Sequence, residues 1–200
     1  PIEEIMTSAY ATAIYFTEHN AIGKTVYKIG EEGVETELKA IGMNVVSNGD
    51  DPHAKFDYVV VGIDREFSYR KLARAQNAIL SGAKFIATNE DMTYPVEGGG
   101  VVPGNGALVA SVRAATSVEP IVIGKPECYA LEKILEMTNT PRKCAYMIGD
   151  NLATDIAVGN RAKIHSVLVL GGLTSREEAE AATGNLRPER IIENLGELLT

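Results

Sequence analysis

The sequence has no tryptophan, only two cysteines, and no long apolar or basic run. Cys128 and Cys144 are too few for a disulfide scaffold and fit a reducing compartment. No apolar run approaches the roughly 18 residues that a membrane span needs. A formal net charge of −8 without a basic stretch argues against nucleic acid or an anionic membrane as a partner. No secretion leader is recognisable, so a cytoplasmic location is expected.

The residues that are present give an ordinary globular composition. Of the 200 residues, 45% are hydrophobic and 23% are charged, which argues against disorder. This length allows one domain or two small ones, each able to bury a core.

Short apolar runs alternate with segments of helical periodicity. Helices are predicted over Tyr10–His19, Gly33–Ile41, Tyr69–Ser81, Ala107–Thr116, Cys128–Met137, Asn151–Arg161 and Ile191–Leu199. Strands are predicted over Thr25–Ile29, Tyr58–Ile63, Lys84–Ala87, Pro120–Ile123, Cys144–Ile148 and Ser166–Leu170. The last five runs are almost continuously apolar, which is typical of strands covered on both faces of a parallel sheet. The alternation predicts an α/β fold with right-handed crossovers.

Two stretches of turn-forming residues suggest that one unit is inserted into another. A helix ends in a polar connection at His19–Lys24, and Tyr94–Gly106 contains two prolines and five glycines. Thr116–Pro120 is a second candidate hinge. A middle unit, 20–118, is therefore expected within a unit made of 1–19 and 119–200.

Candidate functional residues follow the predicted strands, because ligands of open α/β sheets bind beyond the carboxyl ends of strands. Gly124-Lys125-Pro126 follows Pro120–Ile123. The glycine permits close approach of the backbone, the proline suits the first turn of the next helix, and the Lys125 ammonium would bind an anion there. A surface lysine at a tight turn is the alternative interpretation.

Gly149-Asp150-Asn151, followed by Thr154-Asp155, stands after the strand Cys144–Ile148. Two carboxylates and an amide supply oxygen ligands of the kind that Mg²⁺ selects, with Asp150 as a ligand and Asp155 behind it. An N-cap made by Asp150 or Asn151 explains the same residues equally well. Combined with Lys125, the acidic pair suits an anionic substrate bridged by a metal, and hence phosphoryl transfer.

Five short motifs occur in order along the chain. They are Thr7-Ser8-Ala9-x-Ala11-Thr12-Ala13, Ala87-Thr88-Asn89-Glu90-Asp91, Pro103-Gly104-Asn105-Gly106, Gly124-Lys125-Pro126, and Gly149-Asp150-Asn151 with Thr154-Asp155. Together they resemble subfamily IIA of the haloacid dehalogenase (HAD) superfamily, the capped phosphatases of sugar phosphates, p-nitrophenyl phosphate, phosphoglycolate and pyridoxal phosphate. The resemblance implies a Rossmann-like parallel-sheet core (1–19 and 119–200) with an inserted C2-type α/β cap (20–118).

The same resemblance implies roles in the core. Lys125 would be a catalytic and substrate-binding lysine that steadies the phosphoryl group. Asp150 would bind Mg²⁺, Asp155 would support the waters of the metal, and Asn151 would contact substrate.

Further substrate contacts are expected in the cap. Asn89 and Asp91 are candidates, although such residues also build turns readily. Tyr94 falls where pyridoxal phosphatases carry a substrate-contacting histidine, a departure that argues against pyridoxal phosphate as the substrate.

The family's reaction runs through an aspartyl-phosphate on a first-motif Asp-x-Asp, which this sequence does not contain in a matching place. Asp64 follows an apolar strand, but Asp64-Arg65-Glu66 lacks the second aspartate and lies in the expected cap. The nucleophile and the N-terminal core strand are therefore expected upstream of Pro1, and these 200 residues alone are expected to be inactive.

The expected function is thus that of a Mg²⁺-dependent phosphatase for a small phosphorylated metabolite of the sugar phosphate, p-nitrophenyl phosphate or phosphoglycolate type. A homodimer through the cap is one arrangement that the resemblance implies. The alternative is a non-catalytic α/β module that binds phosphate and metal but has lost its nucleophile.

Overall fold

The computed structural model describes residues 4–47 and 54–199. The helices α1–α7 span Ser8–Glu18, Glu32–Ala40, Tyr69–Leu80, Asn105–Thr116, Tyr129–Met137, Ala157–Arg161 and Arg176–Ala181. The strands β1–β10 span Thr25–Ile29, Asn44–Val46, Tyr58–Val61, Lys84–Ala87, Thr93–Pro95, Val101–Pro103, Ile121–Val122, Tyr146–Gly149, His165–Val169 and Arg190–Ile192. Within this described part, no helix is long and apolar enough to cross a membrane.

The chain folds as two compact units. The first comprises the described residues of Pro1–Thr93 together with Pro103–Gly124, and the second Tyr94–Val102 with Lys125–Thr200. These boundaries differ from those expected, because 1–19 falls with the first unit. The compactness of the two units does not test which segment is the core and which is the cap. That assignment stays a prediction.

The first unit is built on a five-stranded parallel sheet in the order β2-β1-β3-β4-β7. Its central strand β3 is buried along its whole length, as the continuous apolar run Tyr58–Val61 predicts. The helix α3 begins at the N-cap Ser68, whose side chain accepts a hydrogen bond from the Lys71 amide, and it packs Ala75 and Ile79 into the core. The α/β fold with a parallel sheet is confirmed.

The second unit contains a three-stranded parallel sheet in the order β10-β9-β8. Ile156, Leu168 and Ala179 form a small core on it. Among the described residues, β8 pairs only with β9 and is therefore an edge strand. Tyr146 and Ile148 on β8 are 61% and 40% exposed, unlike the covered strand that the apolar run Cys144–Ile148 predicts.

Two predictions about helices are wrong in detail. The segment Ile191–Leu199 does not form one helix: β10 pairs in parallel with β9, and Asn194 then caps a short 3-10 turn by accepting a hydrogen bond from the Gly196 amide. Helix α5 starts at Tyr129, so Pro126 does not lie in its first turn. Burial of Ile192, which is 1% exposed, favours the strand over the helical periodicity around it.

Candidate active site

Strand β8 ends at Gly149, and the chain then turns through Asp150 and Asn151 into a π-helical turn, Leu152–Ile156. The Asn151 side-chain oxygen accepts a hydrogen bond from the Ala153 amide at 2.9 Å, so Asn151 is the N-cap. The sequence left the choice of capping residue open between Asp150 and Asn151. Since Asn151 caps the turn, the Asp150 carboxylate is not used for that purpose.

Asp155 connects Lys125 to the loop that carries Asp150 and Asn151. Its side chain is 7% exposed, and its Oδ1 lies 2.7 Å from the Lys125 ammonium. Its Oδ2 accepts hydrogen bonds from the backbone amides of Asp150 and Asn151, both at 3.2 Å. A Cβ added at Gly149 would lie 2.3 Å from the Cβ, Cγ and Oδ2 of Asp155, so only glycine fits here. One buried carboxylate therefore fixes both the lysine and the loop that carries Asp150.

Asp150 is also held by the loop that follows β9. The Leu173 amide donates to Asp150 Oδ2 at 3.2 Å, and the Thr174 hydroxyl donates to the Asp150 carbonyl at 2.7 Å. A Cβ at Gly172 would lie 1.9 Å from Asp150 Oδ2. We call these three residues the 172–174 clamp. Sequence reasoning missed the clamp. Its only local signal is the pair Gly171-Gly172, which does not say what approaches it.

The residues at this edge fit a magnesium ion held through Asp150. The described contacts leave Asp150 Oδ1 without a hydrogen bond, and Mg²⁺ usually takes one or two protein carboxylates together with water and substrate phosphate. Both oxygens of Asp155 are already engaged by Lys125 and the two amides. In the described part of the chain, no three His, Cys, Asp or Glu side chains form a complete metal cage.

The expected substrate-binding residues of the cap are divided between the two units, with Asn89 and Asp91 in the first and Tyr94 in the second. In the first unit, the Asp91 amide donates a hydrogen bond to the Asn89 side-chain oxygen at 3.3 Å. This bond is typical of a turn, which is the alternative interpretation of these two residues. The buried Asn105 amide donates to the Asn89 carbonyl at 2.8 Å and steadies this turn. Tyr94 is a half-buried residue of β5. Their contacts with substrate stay predictions.

Comparison with known proteins places this geometry in a family. A family model described as HAD-hydrolase-like matches residues 122–198, which include Lys125, Asp150 and Asp155. The chain is 39% identical over 197 residues to an acid sugar phosphatase of Staphylococcus saprophyticus, covering 98% of this chain and 73% of the relative. The chain belongs to the HAD-like hydrolases. The resemblance to the subfamily IIA phosphatases is thereby confirmed.

Solved structures of this hydrolase family agree with the assignment. A glycerol phosphate phosphatase of Mycobacterium tuberculosis, crystallised with magnesium, superposes with a TM-score of 0.87 at 35% identity, covering 98% of this chain and 58% of that one. A p-nitrophenyl phosphatase of Archaeoglobus fulgidus gives a TM-score of 0.81 at 30% identity, covering 96% and 72%. The HAD-like chain thus spans 58% to 73% of the lengths of these relatives.

Proposed function

We propose that this chain is the larger part of a magnesium-dependent phosphatase that hydrolyses small phosphate monoesters. The observation that carries the proposal is the linkage of Lys125 through Asp155 to the loop of Asp150 at the carboxyl end of β8. This linkage connects a residue with an ammonium group to the loop that carries a second carboxylate, and a doubly charged phosphate ester bridged by a cation requires both groups. Relatives named for sugar phosphate and glycerol phosphate support this substrate class.

Each residue of the linkage has a distinct proposed task. Lys125 steadies the phosphoryl oxygens, and its side chain is 39% exposed, so a ligand can reach it. Asp150 supplies the carboxylate for Mg²⁺, with the metal's waters supported by Asp155. Asp155 also orients Lys125, while Asn151 lies beside the phosphate. When bound, the magnesium ion neutralises negative charge on the ester oxygens.

The nucleophile has to come from another segment. The second unit contains only two aspartates: Asp150 is the proposed metal ligand, and the carboxylate of Asp155 is engaged by Lys125 and two backbone amides. Its edge strand β8 has exposed apolar side chains and an unpaired edge among the described residues, which suits the addition of a further parallel strand. We propose that a strand ending in Asp-x-Asp pairs there in the whole protein, and that the 200 residues alone do not turn over substrate.

Substrate choice is assigned to the segment 20–118, as a C2-type cap. Its proposed contacts are Asn89, Asp91 and Tyr94, in or next to the loop that Asn105 and the glycines of 103–106 hold in place. A Cβ at Gly104 would lie 2.2 Å from the Asp91 carbonyl oxygen, and one at Gly106 would lie 2.4 Å from that of Glu90. A loop packed this tightly presents its side chains in fixed positions, which is what discrimination between esters needs.

Titration of the 200-residue chain with Mg²⁺ and with inorganic phosphate tests the site. We expect Asp150→Asn to weaken Mg²⁺ binding at least about tenfold, and Lys125→Ala to weaken phosphate binding by a similar factor. Asp57→Asn and Lys143→Ala, which change exposed residues elsewhere, are the matched controls. Unchanged affinities in both site variants would contradict the proposal. Full turnover of phosphate esters by a sample whose intact mass is 21.4 kDa would contradict the expectation of an external nucleophile.

A further inference from the structure

A histidine bridges three segments of the second unit at the amino ends of its strands. His165 is the first residue of β9, and its ring stacks on that of Tyr146, the first residue of β8, with 4.6 Å between the ring centres. Its Nδ1 lies 2.7 Å from Oε2 of Glu189, the residue before β10, and its Nε2 lies 3.2 Å from the carbonyl oxygen of Lys143. We call His165 with its partners Glu189 and Lys143 the His165 latch.

Both ring nitrogens of His165 face atoms that can only accept hydrogen bonds. A backbone carbonyl and an ionised carboxylate have no proton to donate, and a neutral imidazole carries a single N–H. Only the protonated ring therefore donates to both partners. The hydrogen bond with Glu189 is the largest influence and raises the pKa of His165 above its usual value of 6.5, while partial burial opposes the rise and the bond to the Lys143 carbonyl supports it.

In the described contacts, Glu189 is the one charged side chain bonded to the ring, and β8 contributes the titratable Tyr146. The π-helical turn, α6 and β10 also pack against β9. Their charged residues are bonded elsewhere, Asp155 to Lys125, Arg161 to Glu127 and Arg190 to the Glu197 carbonyl. The proton on His165 is therefore governed mainly by Glu189.

The latch holds the beginning of β8, the strand that ends next to Asp150. Within the part of the chain that the structure describes, β8 pairs only with β9, in a register that sets Tyr146 beside His165. The His165 amide also donates to the Ala145 carbonyl at 3.1 Å. Of these contacts at the start of β8, the bond from Nε2 to the Lys143 carbonyl depends on a proton, because Nδ1–H already serves Glu189 when the ring is neutral.

We propose that the His165 latch is a pH-sensitive switch, which ties the segments before β8 and β10 together when the ring is protonated and loosens them when the proton leaves. Because the folded ring holds its proton more tightly than the unfolded one, the stabilisation is fully present below about pH 6.5 and is lost as the pH rises through the folded pKa. The latch consists of contacts within the second unit, so it is independent of the proposed phosphatase function.

His19 in the first unit provides a natural control. Its ring also stacks on a tyrosine, Tyr15, with 3.9 Å between the ring centres, and its Nδ1 lies 2.8 Å from the Tyr15 carbonyl oxygen. In the described contacts, no carboxylate is bonded to either ring nitrogen of His19. A neutral ring satisfies this arrangement, so replacing His19 should leave the pH dependence of the second unit unchanged.

Urea unfolding of the 200-residue chain, followed by NMR at the buried methyl groups of Leu168 and Ile192, reports on the second unit. The measurement is made at about pH 5.5 and about pH 8.5, on either side of the histidine titration. We expect the urea midpoint of the wild-type chain to be lower at the higher pH by about 0.3 M, since the partners are partly exposed. His165→Gln should have the same midpoint at both values, whereas His19→Gln should keep the wild-type difference.

A second measurement separates the proton from mere packing. Glu189→Gln keeps a side-chain oxygen as acceptor but removes the charge, so NMR titration of the ring should show a lower pKa of His165 than in the wild-type chain, and the pH difference in urea midpoint should shrink. The Glu189 side chain is 60% exposed, so this variant should fold even if His165→Gln does not. Equal wild-type midpoints at the two pH values, the full difference in His165→Gln, or an unchanged pKa of His165 in Glu189→Gln would overturn the proposal.

Discussion

Two lysine–aspartate pairs in this molecule have the same geometry and different consequences. Lys125–Asp155 in the second unit and Lys71–Asp64 in the first are both 2.7 Å long, and in both the aspartate is almost fully buried. The difference lies in the second oxygen of each carboxylate. The second oxygen of Asp155 accepts hydrogen bonds from two backbone amides of the loop that carries Asp150. The second oxygen of Asp64 instead accepts one from the amide of Glu66, two residues away.

The comparison shows that an ion pair does not by itself identify an active site. The Lys125–Asp155 pair fixes the loop that carries Asp150. In the described contacts, one carboxylate oxygen of Asp150 forms no hydrogen bond. Around Asp64 and Lys28 the charges satisfy one another, and neither pair is joined to a loop that carries a further carboxylate held in the same way. The charges that stay available once the pairs are formed indicate the chemistry of a site.

The largest expected effect comes from breaking the Lys125–Asp155 pair through the backbone. Gly149→Ala would place a Cβ 2.3 Å from the Cβ of Asp155, so the carboxylate must leave Lys125 and the two amides. We expect a loss of about 3 kcal/mol in the free energy of unfolding, measured with urea. Gly33→Ala, at a helical position with nothing within 4 Å, is the control and should not destabilise. Equal stability of both variants would contradict this packing.

In the first unit, Glu35→Gln removes the carboxylate that neutralises the buried Lys28. We expect a loss of about 2 kcal/mol, below the range for a fully buried pair because the Glu35 side chain is 30% exposed. Lys39→Gln removes the exposed partner of the same carboxylate and should cost at most about 0.5 kcal/mol. If the two variants lose the same free energy of unfolding, the Lys28–Glu35 pair stabilises the fold no more than the exposed Lys39–Glu35 pair does.

The same carboxylate should make stability depend on pH. Hydrogen bonds from Lys28, Lys39 and Ser47 lower the pKa of Glu35 from 4.5 to about 2. Because the folded pKa is depressed, the stabilisation is fully present above about pH 4.5 and is lost as the pH falls toward 2. Urea unfolding at a series of pH values should therefore show a steeper acid loss in the wild-type chain than in Glu35→Gln. Parallel curves would refute the assignment.

The smallest expected effect concerns the 172–174 clamp. Thr174→Val removes the hydroxyl that donates to the Asp150 carbonyl, which should cost about 1 kcal/mol and weaken Mg²⁺ binding several-fold. Thr174→Ser should restore the affinity. Ser175→Ala removes the neighbouring N-cap of α7 at a similar cost in stability but should leave Mg²⁺ affinity unchanged. A loss of affinity in Ser175→Ala equal to that in Thr174→Val would argue against a specific clamp.

Continuous apolar runs predicted the buried strands well, because a strand covered on both faces needs nothing else. The apolar run Lys84–Ala87 is a strand over the predicted residues, and so is Thr25–Ile29, although it is not continuously apolar. The same signal overextended the strand before Lys125, where only Ile121–Val122 pairs with β4. Short strands such as Asn44–Val46 escaped prediction, since three residues carry no period and their pairing depends on a neighbour distant in sequence.

The sequence by itself determined the α/β class, the parallel sheet, the family, and the strand ends at which the candidate residues lie, because apolar periodicity and short motifs are local properties. Only the tertiary structure decided that Asp155 connects Lys125 to the Asp150 loop, that Thr174 and Gly172 hold Asp150, and that β8 is an edge. These features depend on contacts between segments up to 30 residues apart. The direction of a carboxylate and the space left for a Cβ follow from packing, which no local pattern specifies.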